Sequence, residues 1–141
     1  MEDVLEVYHR PADPRRPLIC LDEASVQLLG EVREPLPLRP GAPLCVDSEY
    51  AREGVESYFM LTAPLLGWRQ VEVTGTRTKV DYARVLKALA ESFPQADKIV
   101  VVQDNLNTHR PATLYEVFEP HEARRLVERF EFHYTPKHGN W

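Results

Sequence analysis

Apolar residues fall in short runs along this chain, and the spacing within each run predicts a strand or a helix. Four β-branched residues in succession, Ile99–Val102, are typical of a strand buried on both faces. Five other runs predict strands at 18–22, 26–32, 56–62, 68–74 and 131–135. Three segments predict helices, at 78–93, 111–119 and 120–130.

The order of these elements predicts the fold class. Hairpin signals come first and helices alternate with strands later, which predicts an α/β protein with a mixed sheet, antiparallel early and parallel late. This is the ribonuclease-H-like plan, with the strand at 99–102 in the centre beside 18–22. A turn at 23–25 would join 18–22 to an antiparallel partner at 26–32. Proline-rich residues 35–43 predict an extended loop.

Two aspartates follow apolar runs in the same way. Asp22 comes after Leu18–Leu21, and Asp104 follows the predicted central strand by two residues. A lone aspartate there is as well explained by a helix cap or a turn. Two of them on neighbouring strands favour a shared site, since sites gather where parallel strands end. A hard divalent cation would relieve their repulsion, and an all-oxygen ligand set favours Mg²⁺ or Mn²⁺.

The bulk composition narrows the function classes. The 141 residues suit one domain, and a net charge of −5 argues against independent nucleic-acid binding. No apolar run approaches the ~18 residues of a membrane span, and the chain opens Met-Glu-Asp, unlike a signal peptide. Cys20 and Cys45 are expected to be reduced. These features predict a cytoplasmic protein that does not bind membranes.

Three motifs together resemble the catalytic domain of mariner-like bacterial insertion-sequence transposases of the DDE/DDD type. They are Cys20–Ser25 (CLDEAS), Val102–His109 (VQDNLNTH) and Phe132–Trp141 (FHYTPKHGNW), and the likeness extends over about 16–141. The resemblance implies metal-dependent DNA cleavage and strand transfer, with Asp22 and Asp104 as two of three catalytic, metal-binding carboxylates. It makes 1–17 an interdomain linker and 18–141 the catalytic core.

The resemblance also implies what lies around this core. The family's third carboxylate follows the His-Gly-Asn-Trp motif, so the core is expected to stop before it and to have little activity alone. A complete site would hold two Mg²⁺ ions, with Mn²⁺ as a substitute. The full-length protein would bind double-stranded transposon ends and target DNA through a helix-turn-helix region, and the present chain would bind DNA weakly. Whether the protein forms a homodimer stays open.

Several other residues are candidates for auxiliary roles or DNA contacts: Glu23, Asn105, Asn107, His109, Lys137 and His138. Each also has a plainer interpretation. Glu23 would be a solvated or turn residue, the two asparagines would close a turn, and His109 would be structural. His133 is expected to face solvent. Two other functions stay open: a ribonuclease-H-like nuclease without strand transfer, and a non-catalytic transposase remnant acting as an interaction module.

Overall fold

The computed structural model describes residues 1–33, 36, 39–41 and 48–136. Within that part of the chain, five strands and four α-helices form. The strands are β1 (Leu18–Glu31), β2 (Tyr50–Ala63), β3 (Trp68–Thr74), β4 (Ile99–Gln103) and β5 (Phe130–Tyr134). The helices are α1 (Glu2–His9), α2 (Lys79–Ser92), α3 (Ala112–Val117) and α4 (Pro120–Val127). A short 3₁₀ turn at Pro64–Leu66 joins β2 to β3.

The strands form one mixed sheet in the order β3-β2-β1-β4-β5. β1 and β2 are antiparallel, as are β2 and β3, whereas β4 runs parallel to both β1 and β5. This is the ribonuclease-H-like arrangement that the sequence predicted. The pairing of Leu18 with Val100 confirms that the two predicted strands are neighbours.

Both faces of β4 are covered, which explains its uninterrupted apolar sequence. On one face, Ile99 and Val101 pack with Leu86 and Leu89 of α2 in the main core. On the other face, residues of α1 pack against Val100 and Val102. All five residues of β4 are buried. A strand covered on both sides selects apolar residues at every position rather than at alternate ones.

Helix α2 begins where the sequence predicted, because a capping box fixes its first turn. The Thr78 side chain accepts a hydrogen bond from the Asp81 backbone N–H, and the Asp81 carboxylate accepts one from the Thr78 N–H at 2.9 Å. These contacts satisfy two backbone donors that a helix start would leave unpaired. The cap therefore orients the helix that covers the core face of the sheet.

Helix α1 occupies a segment that the sequence predicted to be a linker. Val4 and Val7, three residues apart, lie on one helical face and are 2% and 1% exposed. The helix also covers His133, which is buried and not solvent-facing as predicted. The His133 Nδ1 atom lies 2.8 Å from Asp3 Oδ2 of α1. Only 10–17 remains as a connection between this helix and β1.

Strand β1 is longer than predicted, and the turn expected at 23–25 is absent. Residues 18–31 form one strand that pairs with β2. Glu23-Ala24-Ser25 contains no glycine, proline or asparagine to favour a turn, and the Ser25 hydroxyl lies 3.1 Å from that of Ser57 across the ladder. Gly54, at φ +130°, lies at a bulge in β2, where the register with β1 shifts.

Several predicted features fall outside the described residues. They are most of the proline-rich loop, Cys45, Lys137, His138 and Trp141. Cys20 is a free thiol. Among the described helices, none combines the length and apolar character needed to cross a membrane.

Candidate active site at the end of the central strand

Asp22 and Asp104 occupy neighbouring positions on adjacent parallel strands. The last pair in the β1–β4 register joins Leu21 to Gln103. Asp22 directly follows Leu21, and Asp104 directly follows Gln103. Asp22 is exposed, and the Asp104 side chain retains 28% of its accessible surface. The predicted pair therefore meets at the carboxyl end of β4, where solvent and a large substrate can reach it.

The charges around Asp104 act on its ionisation. Burial raises the pKa of the Asp104 carboxyl, the negative charges of Glu23 and Asp22 raise that pKa further, and His109 opposes the change. The charges of Glu23 and Asp22 therefore both act on the Asp104 carboxyl. A cation placed among them would lower the energy of all three charged forms.

His109 lies between two of these carboxylates and is fully buried. Its Nδ1 is hydrogen-bonded to Asp104 Oδ1, and its Nε2 lies 3.3 Å from Glu23 Oε2. The second contact is an ion pair whose geometry falls outside that of a hydrogen bond. Burial by itself would lower the pKa of His109, but Glu23 and Asp104 reverse this and raise it. The two carboxylates therefore favour the protonated form of the imidazole.

Two neighbours, Tyr82 and Gln103, hold His109 in place. The Tyr82 ring stacks on it with centroids 4.6 Å apart and planes 23° from parallel. Gln103 Nε2 donates to the His109 backbone carbonyl at 3.1 Å. The Tyr82 hydroxyl in turn donates to Gln103 Oε1 at 2.9 Å. Helix α2, β4 and the loop after β4 are thereby joined through buried polar contacts around His109.

Glu23 is not the solvated or turn residue that the sequence suggested. Its side chain is 3% exposed, and its Oε1 lies 3.4 Å from Arg77 Nε. The strand alternation predicts this burial, since Glu23 shares a face with Leu21, which lies in the main core. What the alternation does not reveal is that His109 and Arg77 converge on the carboxylate. A glutamate on the core face of a strand is a signal that a buried cation lies opposite.

The remaining candidates are dispersed. Asn105 and Asn107 are exposed on the loop after β4. With no accessible surface, the His109 side chain cannot contact DNA in this structure. Lys137 and His138 lie outside the described residues. Asp22 and Asp104 are thus the predicted residues that combine proximity with access to solvent.

The donor set suits a hard cation. Carboxylate oxygens are the ligands that Mg²⁺ and Mn²⁺ prefer, and Asp22 and Asp104 would supply them. Among the residues that the structure describes, no group of three or more His, Cys, Asp or Glu side chains is arranged to hold a metal ion. The pair therefore fits part of a metal site, with other ligands to come from water or from elsewhere.

Comparison with known proteins points to one family. The sequence profile of the DDE superfamily endonuclease family matches residues 17–141. A search of curated proteins found no match to this chain.

Three solved structures of Mos1 complexes are similar to this chain. The Mos1 strand transfer complex shares 16% identity at a TM-score of 0.49, covering 93% of this chain and 38% of that one. The Mos1 mariner paired end complex with Mn shares 18% identity at a TM-score of 0.48, covering 93% of this chain and 39% of that one. The Mos1 transposase paired-end complex with left transposon end shares 18% identity at a TM-score of 0.48, covering 93% of this chain and 38% of that one. This chain thus spans about two fifths of the length of those proteins.

Proposed function

The chain belongs to the DDE superfamily endonuclease family, and we propose that it is the catalytic core of a transposase that cleaves and joins DNA. The observation that carries this proposal is the adjacency of Asp22 and Asp104. They follow directly on paired residues of β1 and β4, and both keep access to solvent. This placement suits a reaction on a phosphodiester, which must approach the site from outside the protein.

A divalent metal fits the proposed reaction. When bound, Mg²⁺ or Mn²⁺ would activate the attacking oxygen and stabilise charge on the leaving oxygen. Asp22 and Asp104 would hold the ion. Burial and, to a smaller extent, the charges of Glu23 and Asp22 raise the Asp104 pKa, and a cation there would offset both effects. A third carboxylate and a second ion, which the family resemblance implies, belong to this proposal as well.

Double-stranded DNA is the proposed substrate, and the full-length protein would supply most of the binding. The chain carries a net charge of −5, so its own attraction to phosphate is weak. The role of Asp22 and Asp104 is then to hold the reacting phosphate, through the ion, at one place on the sheet. Efficient transposition would need the part of the protein that recognises transposon ends.

The test is a nicking and joining assay on supercoiled plasmid with Mn²⁺. The unsubstituted chain should nick slowly, and Asp22→Asn and Asp104→Asn should each remove the Mn²⁺-dependent product. Asp97→Asn is the matched control, because Asp97 is a surface carboxylate paired with Arg15 and should behave like the unsubstituted chain.

The products also separate the alternatives. Nicking together with joining of labelled DNA ends supports the transposase. Nicking without joining, in the full-length protein as well, would favour a hydrolytic ribonuclease-H-like nuclease. Nicking that survives both substitutions would contradict the assignment of Asp22 and Asp104.

A further inference from the structure

Two buried histidines in this chain each lie between two carboxylates, but they belong to different parts of the fold. His133 joins Asp3 of α1, at 2.8 Å, to Glu131 of its own strand, at 3.0 Å. His109 instead joins Glu23, at 3.3 Å, to Asp104 of the candidate site. The first arrangement attaches a helix to the sheet. The second contacts a residue proposed to bind metal.

The contacts of His109 are asymmetric in a way that a structural role leaves unexplained. His109 is 0% exposed, whereas the Asp104 side chain that it contacts is 28% exposed. His109 Nδ1 is hydrogen-bonded to Asp104 Oδ1. The other oxygen of that carboxylate, Oδ2, is left for a ligand. On the far side, His109 Nε2 is buried without a hydrogen-bond partner among the described residues, although Glu23 Oε2 lies 3.3 Å from it. Glu23 therefore acts on the imidazole through charge rather than through a hydrogen bond.

We propose that His109 is a positioning residue: it fixes the Asp104 carboxylate for metal binding, and Glu23 and Tyr82 hold its imidazole in the required orientation. This inference rests on the proposed function, because it assigns Asp104 to a metal. Tyr82 provides the stacking surface at 4.6 Å, and Gln103 fixes the His109 backbone at 3.1 Å. Partners of a metal ligand typically change affinity 10–100-fold when removed.

A pair of isosteric variants separates positioning from charge and from folding. In His109→Asn the amide nitrogen can take the place of Nδ1 and still donate to Asp104. In His109→Gln the amide can take the place of Nε2, so the donor faces Glu23 instead. Both variants replace the imidazole with an uncharged amide. They differ in which carboxylate keeps its donor.

The probe is Mn²⁺ alone, measured by the loss of the free-ion signal in electron paramagnetic resonance. His109→Gln should bind Mn²⁺ about tenfold more weakly than the unsubstituted chain, and His109→Asn should recover most of that loss. His133→Gln is the matched control and should bind Mn²⁺ unchanged. All titrations are made well below the melting temperature of each variant. Equal affinity in the two His109 variants, or tighter binding in both, would overturn the proposal.

A second measurement needs no substitution. Diamagnetic Mg²⁺ should shift the ring ¹⁵N–¹H signals of His109 in a saturable way and leave those of His133 in place. Asp22→Asn separates this inference from the proposed function. If it leaves Mn²⁺ binding unchanged, or if the unsubstituted chain binds none, the metal assignment fails and this inference fails with it. If Asp22→Asn abolishes binding while the His109 variants bind alike, or the His109 signals do not move, the positioning role alone is wrong.

Discussion

At the scale of single residues, Glu131 of β5 is the carboxylate that joins the sheet to the segment between α1 and β1. It accepts hydrogen bonds from Arg10, at 2.6 Å, and from Arg16, and it contacts His133 at 3.0 Å. The hydrogen bond from Arg10, aided by those from His133 and Arg16 and opposed by burial, lowers the pKa of Glu131 to about 2. A carboxylate with so many donors favours its charged form strongly.

We therefore expect the stability contributed by Glu131 to depend on pH. Its pKa falls from 4.5 in the unfolded chain to about 2 in the folded one, so its contribution is complete above pH 4.5 and is lost as pH falls from there toward 2. Urea denaturation of the unsubstituted chain and Glu131→Gln should show a stability difference that shrinks over this range. Glu6→Gln, whose carboxylate lies 3.9 Å from Arg10 and is 76% exposed, is the control and should show little effect. A constant difference for Glu131→Gln would contradict the account.

The hydroxyl of Tyr82 gives a second residue-scale prediction. Tyr82 is fully buried, and its hydroxyl donates to the equally buried Gln103 Oε1 at 2.9 Å. Tyr82→Phe should lower the free energy of unfolding by about 1–3 kcal/mol, because an acceptor is left unsatisfied in the core. Tyr115→Phe, at a half-exposed position, should cost almost nothing. Equal stability of the two variants by urea denaturation would show that the Gln103 network does not support the site.

At the scale of elements, helix α1 is attached to the sheet mainly by two valines. Val7 is 1% exposed and Leu5, on the opposite face, is 49% exposed. Val7→Ala should lower the free energy of unfolding by about 2 kcal/mol, since two methyl groups leave a packed interface. Leu5→Ala should change it by less than about 0.5 kcal/mol. A loss of similar size in both variants would mean that α1 is not docked as described.

Sequence reasoning located most elements because their signals are local. The β-branched run of β4, the capping box of α2 and the alternation of β3 each identify an element without reference to the rest of the fold. Helix α1 has only Val4 and Val7 facing the sheet, a pattern too short to identify a docked helix. The strand at 18–22 was predicted, but its continuation past Glu23 was not, because that continuation depends on pairing with β2, which is distant in sequence.

The candidate site was predictable in part for the same reason. Asp22 and Asp104 could be paired because each follows an apolar run, and parallel neighbouring strands bring such positions together. The contacts of His109 with Glu23 and Tyr82 could not be predicted, since they join residues far apart in sequence and depend on side-chain packing. Local pattern thus finds the exposed carboxylates that we propose as ligands, and tertiary structure is needed to find the buried residues around them.

At the scale of the whole molecule, the net charge limits the proposed binding of DNA. With a net charge of −5, we expect weak binding to duplex DNA, with a dissociation constant no tighter than ~10⁻⁶ M. Fluorescence anisotropy with two unrelated duplexes of equal length should give similar affinities. Both affinities should fall as the salt concentration rises from about 50 to about 200 mM, because phosphate contacts release counterions. Tight binding to one of the two sequences would place sequence recognition within this chain.

A calorimetric titration with Mn²⁺ tests whether Asp22 and Asp104 form one cation site. The unsubstituted chain should show weak, saturable binding. Asp22→Asn and Asp104→Asn should each abolish it, because the ion needs oxygens from both strands, while Asp97→Asn should bind like the unsubstituted chain. Unchanged Mn²⁺ binding in both site variants would contradict the claim.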